Sequence, residues 1–249
     1  MTPYEWPRAA AFGRVIPKNK IYDNAGANTA LKEIFVREVE QIVWSYKLAP
    51  ETVNLAAARQ VTEIQIFRIN ARTAKLDQEV LSAIDKAIPF PLIFEVVHGD
   101  RVRLTAAYKR PSESDSSRWV FSEYFNGDWV PEGEQLTAFP IALDMGMLYE
   151  RLLEPLVAGE TAQLIASLGG MLEPFLSRAN LDKPVTLEER IAQAKAIKAK
   201  ARHVERIRSR LAREKQFNKR VAINAELRLA RQELQQLAAD QPAAAMMKA

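Results

Sequence analysis

The stretch LSAIDKAIPFPLIFEVVHGDRVRLTAAYKR, residues 81–110, decides the fold. It opens inside an apolar stripe, Leu76, Val80, Leu81, Ile84 and Ile88, whose three- and four-residue steps mark one buried face of a short helix. Pro89 ends that helix, because proline lacks the amide hydrogen and clashes with the preceding turn. Pro91 to Val97 then reads as a buried strand; two prolines and Glu95 interrupt the apolar residues from Ala87 to Val97, so the run is no membrane span. His98-Gly99-Asp100 is a turn, and Arg101 to Lys109 alternates with Val102, Leu104 and Ala106 on one side.

Working outward, Pro111 to Ser117 is polar and low in complexity, an exposed loop. Trp119 to Phe125 gives a third strand of a meander, and Asn126-Gly127-Asp128 turns the chain before Trp129. Upstream, Asn28 or Thr29 caps a helix through Leu31, Ile34, Phe35, Val39, Ile42 and Val43, which stops before Pro50. Val61 to Ala71, VTEIQIFRINA, is a strand by its β-branched content. The order predicts an α+β domain over residues 1–135, a small mostly antiparallel sheet with flanking helices.

Beyond it, Leu143, Met147, Leu148, Leu152, Leu153 and Leu156 recur at helical spacing, and a second helix is expected from Glu160 to Leu168 before a Gly169-Gly170 break. With Pro174 and Pro184 this makes residues 136–184 a helical connector. From Val185 to Gln241 there is neither Gly nor Pro, so residues 185–240 are expected to form a long helical extension, roughly 80 Å if unbroken. Residues 241–249, PAAAMMKA with the preceding Gln, close the chain as a frayed tail.

Composition narrows the function classes. With 48% hydrophobic and 27% charged residues, the chain is neither disordered nor fibrous. Cys 0 excludes thiol nucleophiles, cysteine zinc sites and iron–sulfur clusters, and His 2 leaves too few imidazoles for a histidine metal site. No signal peptide or membrane span is recognisable, so a cytoplasmic protein without membrane partners is expected. The net charge of +4 is uneven: residues 1–185 carry 20 Lys and Arg against 24 Asp and Glu, whereas residues 186–240 carry 14 against 7. That asymmetry points to a polyanion, an acidic protein surface or simply a solvated helix face.

The extension carries two apolar seams. Ile197, Ala201, Val204, Ile207 and Leu211 form the first, with Lys195, Lys198, Arg202, Arg206, Arg210 and Arg213 on the opposite side. Ile223, Leu227, Ala230, Leu234 and Leu237 form the second, in the alternating steps of four and three of a coiled coil. The two are out of phase, so the helix either folds back as a hairpin or changes partner, and EKQFNK (residues 214–219) holds the expected bend. The basic stripe is the candidate surface for nucleic acid or a partner protein.

Catalytic motifs are missing: the chain has no GxxxxGK[ST], GxGxxG, GxSxG or HExxH, and His98 and His203 fall in different elements. The weak catalytic candidates are Glu63, Glu95 and Lys109, each expected in a strand, since carboxylates and a lysine on neighbouring strands can hold a divalent ion for phosphodiester hydrolysis. No acid stands two residues before a lysine in the sheet region, and charges on strands are more often solvent-facing. Trp44, Tyr46, Trp119 and Trp129 read as core or covering aromatics. No cofactor is expected.

Several blocks resemble the bacterial domain-of-unknown-function family numbered 4391: IPKNKIYDN (16–24), WSYKLAPETVNL (44–55), EIQIF (63–67), IDKAIPFPLIFEV (84–96), AYKR (107–110) and EKQFNKRVAINAELR (214–228). The resemblance implies companionship with SNF2- or DEAD-type helicases and adenine-specific DNA methyltransferases in restriction-like or anti-phage loci. It carries no catalytic motif, and the shared Lys47, Glu63, Asp85, Lys86, Pro89, Pro91 and Lys109 fit structural roles. The expected function is a non-catalytic accessory subunit docking to a helicase or methyltransferase. The alternatives are a metal-dependent nuclease and a stand-alone nucleic-acid-binding protein.

Overall fold

The computed structural model describes residues 3–58, 60–112, 114, 115, 118–134, 136–167 and 186–239. The Gly169-Gly170 break, Pro174, Pro184, part of the loop at 113–117 and the tail 241–249 lie outside the described residues. The chain divides into two compact units, Met1–Leu156 and Val157–Ala249.

The first unit is an α+β layer built on one mixed sheet. Its strands are β1 (Ala11–Val15), β2 (Val39–Leu48), β3 (Ile64–Ala71), β4 (Leu92–His98), β5 (Arg101–Pro111), β6 (Trp119–Asn126) and β7 (Val130–Pro131). They lie in the order β1-β2-β3-β4-β5-β6, with β7 also pairing β5. Among the described strands only β3 and β4 pair in parallel, joined by α4 (Gln78–Ala87) as a βαβ unit. The expected meander is β4-β5-β6, and Gly99 takes the left-handed conformation (φ 61°) in the turn between β4 and β5.

Helices α1 (Lys18–Ala25), α2 (Thr29–Glu38) and α4 contribute to the core on one face, where Phe35, Val80, Leu81 and Ile84 meet Phe67, Ile69, Phe94 and Val96. A further turn, α3 (Pro50–Val53), follows β2. Asn28 caps α2 through the Leu31 amide, and Asp77 caps α4 through the Glu79 amide. Alternate residues of the strands, Ile64, Ile66, Ile93, Leu104 and Ala106, are buried on the opposite face.

The structure corrects three sequence expectations and adds two elements to them. The helix opened by Asn28 ends at Glu38, and Val39–Leu48 is strand β2. Val39, Ile42 and Val43 satisfy a helical period, but VEQIVWSYKL is rich in β-branched and aromatic residues, and the open edge of β3 selects the strand. Glu63 precedes β3 rather than lying in it. Strand β1 and helix α1 went unread because their apolar residues are few; α1 is delimited by Pro17 and by Gly26 in the left-handed conformation. Finally, the two helices expected over 143–168 are one, α5 (Met145–Ser167), which carries Pro155 internally and is capped by Asp144 accepting from the Met147 amide.

The second unit contains a helical hairpin, α6 (Leu187–Arg213) and α7 (Phe217–Ala239). Thr186 and Glu189 form a capping box at the start of α6. The chain breaks at Glu214–Gln216, inside the segment expected to bend. Glycine is not needed, because Glu214 Oε1 accepts the Lys215 and Gln216 amides, both at 2.9 Å. Lys200–Glu233 and Arg210–Glu226 ion pairs fix the helices as antiparallel. Ile197, Ala201, Val204 and Ile207 share one buried cluster with Ile223, Leu227, Ala230 and Leu234, and Leu211 and Leu237 pack at its margin. The phase change between the seams is therefore resolved by turning the chain back on itself.

Candidate functional site

Among the sequence candidates, Lys109 has the most constrained surroundings. The residue is 1% exposed on β5, and Nζ donates to the carbonyls of Asp85 and Ile88, each at 2.5 Å, and to Asp85 Oδ1 at 3.3 Å. Those carbonyls end α4, so the lysine satisfies acceptors that the last helical turn leaves without partners. Asp85 Oδ2 accepts the Tyr124 hydroxyl at 2.6 Å. Burial pushes Asp85 up to about 6 against the pull of the neighbouring ammonium, and burial pushes Lys109 down against the pull of the carboxylate.

Tyr149, from α5, completes the cluster. Its hydroxyl accepts the Lys109 amide at 2.8 Å and donates to the Ala107 carbonyl at 3.0 Å. The β5–β6 register shifts between Ala107 and Lys109, so Tyr149 supplies partners for backbone groups that the bulge removes from the ladder. Burial holds both tyrosines well above the usual phenol range. The arrangement ties α4, β5, β6 and α5 together, with Asp85, Lys109, Tyr124 and Tyr149 all hydrogen-bonded.

Glu95 alternates on β4 with Phe94 and Val96 and therefore points to the other face of the sheet. It is 7% exposed and accepts the indole N–H of Trp6 at 2.6 Å; Trp6 in turn packs on Tyr4, Tyr46 and Phe139. Burial raises its pKa, opposed by the Trp6 hydrogen bond and the nearby Arg68, which is paired with Glu132. Glu63 is engaged elsewhere, 3.2 Å from Lys47 Nζ and accepting from Gln65 Nε2 at 2.5 Å. The expectation that strand charges face solvent is overturned for Glu95 and Lys109, which are both interior. The three candidates do not converge: they sit before β3, beneath Trp6 and against α4. Among the described residues, no group of three His, Asp or Glu could hold a metal ion.

The basic stripe of α6 is exposed at Lys195, Arg202, Arg206, Arg210 and Arg213, while Lys198 is half-buried and pairs with Glu160 at 2.7 Å. Across residues 186–239, 14 Lys and Arg stand against six Asp and Glu. A second feature went unread in the sequence. Phe217 (77% exposed), Val221, Ala225 and Leu229 recur every four residues on the outside of α7, away from the seam that turns inward. The inward heptad masked this ridge; only the burial of Ile223, Leu227, Ala230 and Leu234 tells which apolar set the hairpin itself uses.

Fold and site together define a sheet-based α+β protein with a basic helical hairpin, and with Asp85, Glu95 and Lys109 buried and hydrogen-bonded. Residues 5–234 match the family described as Domain of unknown function (DUF4391), and the chain belongs to that family. No curated protein and no solved structure matches it. Among the described residues, no helix is long and apolar enough to cross a membrane.

Proposed function

We propose that this protein is a non-catalytic accessory subunit of a bacterial DNA restriction-modification or anti-phage defence system. It docks to a helicase or DNA methyltransferase of the same system. The observation that carries this reading is the α7 ridge: Val221 (53% exposed) and Leu229 (58% exposed) stand out from a helix whose buried apolar residues are already committed to the hairpin. A four-residue ridge of this kind fits the groove of a partner helix. The genomic companions implied by the family resemblance supply the partner class. The separation of Glu63, Glu95 and Lys109 gives the nuclease alternative no assembled site.

Affinity purification of the tagged chain from its native host, with mass spectrometry of what co-purifies, tests the proposal. A helicase or methyltransferase should be recovered with the wild type and lost with Val221→Asp/Leu229→Asp. Both substitutions are on exposed positions and leave the hairpin seam intact. Recovery of neither enzyme with the wild type sinks the reading.

A further inference from the structure

The turn of the hairpin concentrates charge more than any other part of the chain. Residues 206–220 hold seven cations, Arg206, Arg208, Arg210, Arg213, Lys215, Lys219 and Arg220, against Glu214 alone. Arg210 is engaged by Glu226, and Arg208 lies 3.7 Å from Glu205. Arg206, Arg213, Lys215 and Arg220 are exposed and in no ion pair among the described residues. The single acid is already used: hydrogen bonds from the Gln216 and Lys215 amides hold Glu214 below the usual carboxylate range, with Lys219 adding to the positive field. Glu214 therefore shapes the turn and offsets only one of the seven charges.

Phe217, the only Phe, Trp or Tyr in 186–239, lies two residues from both Lys215 and Lys219 in the chain, at the first position of α7, and is 77% exposed. An aromatic ring left in water within a cluster of unpaired cations matches the two chemistries of an unpaired nucleotide, whose phosphate is anionic and whose base is a flat apolar surface. A duplex offers only the first, because its bases are stacked on one another.

We infer that the hairpin turn is a binding site for single-stranded nucleic acid, with Phe217 stacking on a base and Arg206, Arg213, Lys215, Lys219 and Arg220 contacting phosphates. The site uses the tip of the hairpin and shares only Phe217 with the α7 ridge, whereas the docking role is tested at Val221 and Leu229, so the two readings fail separately.

The test is fluorescence anisotropy of the full-length chain with labelled 20-nucleotide single strands of mixed sequence, as DNA and as RNA, and with the corresponding blunt DNA duplex. Both single strands should bind at about 50 mM salt, more tightly than the duplex, with a log–log salt slope of roughly −3 to −4 for five neutralised phosphates. Phe217→Ala should weaken single-strand binding by about 5- to 100-fold, the range of one lost stacked base, without changing the salt slope. Phe217→Trp should retain binding and show quenching of its own indole on titration. Lys215→Glu/Lys219→Glu/Arg220→Glu should abolish binding. All these positions are exposed, and far-UV circular dichroism of each variant confirms that the hairpin is intact.

No binding of the wild type to either single strand at about 50 mM salt overturns the inference. So does equal or tighter binding to the duplex, or a Phe217→Ala variant with unchanged affinity. Because no partner protein is present, failure here leaves the co-purification result untouched, and Val221→Asp/Leu229→Asp should bind the single strands normally.

Discussion

Replacing Lys109 with Met should cost the first unit about 3–5 kcal/mol, the range for breaking a buried ion pair by removing one partner. Met refills most of the aliphatic stem, so cavity formation contributes little. What remains is electrostatic. Lys109 Nζ makes hydrogen bonds to two carbonyls at the end of α4 and to the Asp85 carboxylate, and the substitution strips all three. The Tyr124 hydroxyl stays on Asp85 Oδ2, but one hydrogen bond does not replace a cation in the interior.

The sign of the pH dependence follows. In the wild type, burial already raises Asp85 from 3.8 to about 6, so its contribution to stability is full in acid and is lost as the pH rises through about 6. Loss of the ammonium pushes Asp85 higher still. The deficit of Lys109→Met should therefore be largest at pH 8 and shrink at pH 5, where a protonated Asp85 no longer needs a counter-ion. Adding Asp85→Asn should recover part of the loss at pH 8 and little at pH 5. Urea unfolding followed by tryptophan fluorescence is the assay, since Trp6, Trp44, Trp119 and Trp129 all lie in the first unit. A deficit below about 1 kcal/mol, far short of a broken buried pair, would refute the reasoning. So would a deficit equal at the two pH values.

Tyr149→Phe should cost about 1–3 kcal/mol in the same assay, because the Lys109 amide loses its acceptor at the bulge; an unchanged urea midpoint would show that water replaces the hydroxyl. Leu227→Asp/Leu234→Asp places two carboxylates at positions 5% and 2% exposed and should melt the hairpin, read as lost helical circular dichroism; full helicity would mean that the seam is not what holds α6 to α7. On the proposed accessory role, Glu63→Gln/Glu95→Gln should leave recovery of the proposed partner intact, and a well-folded double variant that lost a metal-dependent DNA cleavage present in the wild type would restore the nuclease alternative.

What the sequence disclosed was local. Residues 81–110 contain their own helix stop, turn and alternation, and the structure places α4, β4 and β5 there within a residue or two. Asn28 was legible as a cap because its side chain serves the amide three residues on. The bend in EKQFNK could be located from the phase change of two seams even though no glycine marks it. By contrast, Glu63, Glu95 and Lys109 share only an expected place in a strand, and strand membership says nothing of which face a side chain takes or how far apart two strands lie.

By itself, then, the sequence determined whatever depends on neighbours a few residues away: periodicity, caps, turns, the uneven charge and the missing catalytic motifs. Tertiary structure decided the rest. Val39, Ile42 and Val43 suit a helix or a strand equally well, and only the edge of β3 resolves them. Lys109 and Glu95 read as surface charges until α4 and Trp6 supply hydrogen bonds that permit burial. The apolar residues of α7 divide into an inward seam and an outward ridge only once α6 lies against one of them. Burial and partner choice are properties of residues distant in the chain, and a local pattern carries no record of them.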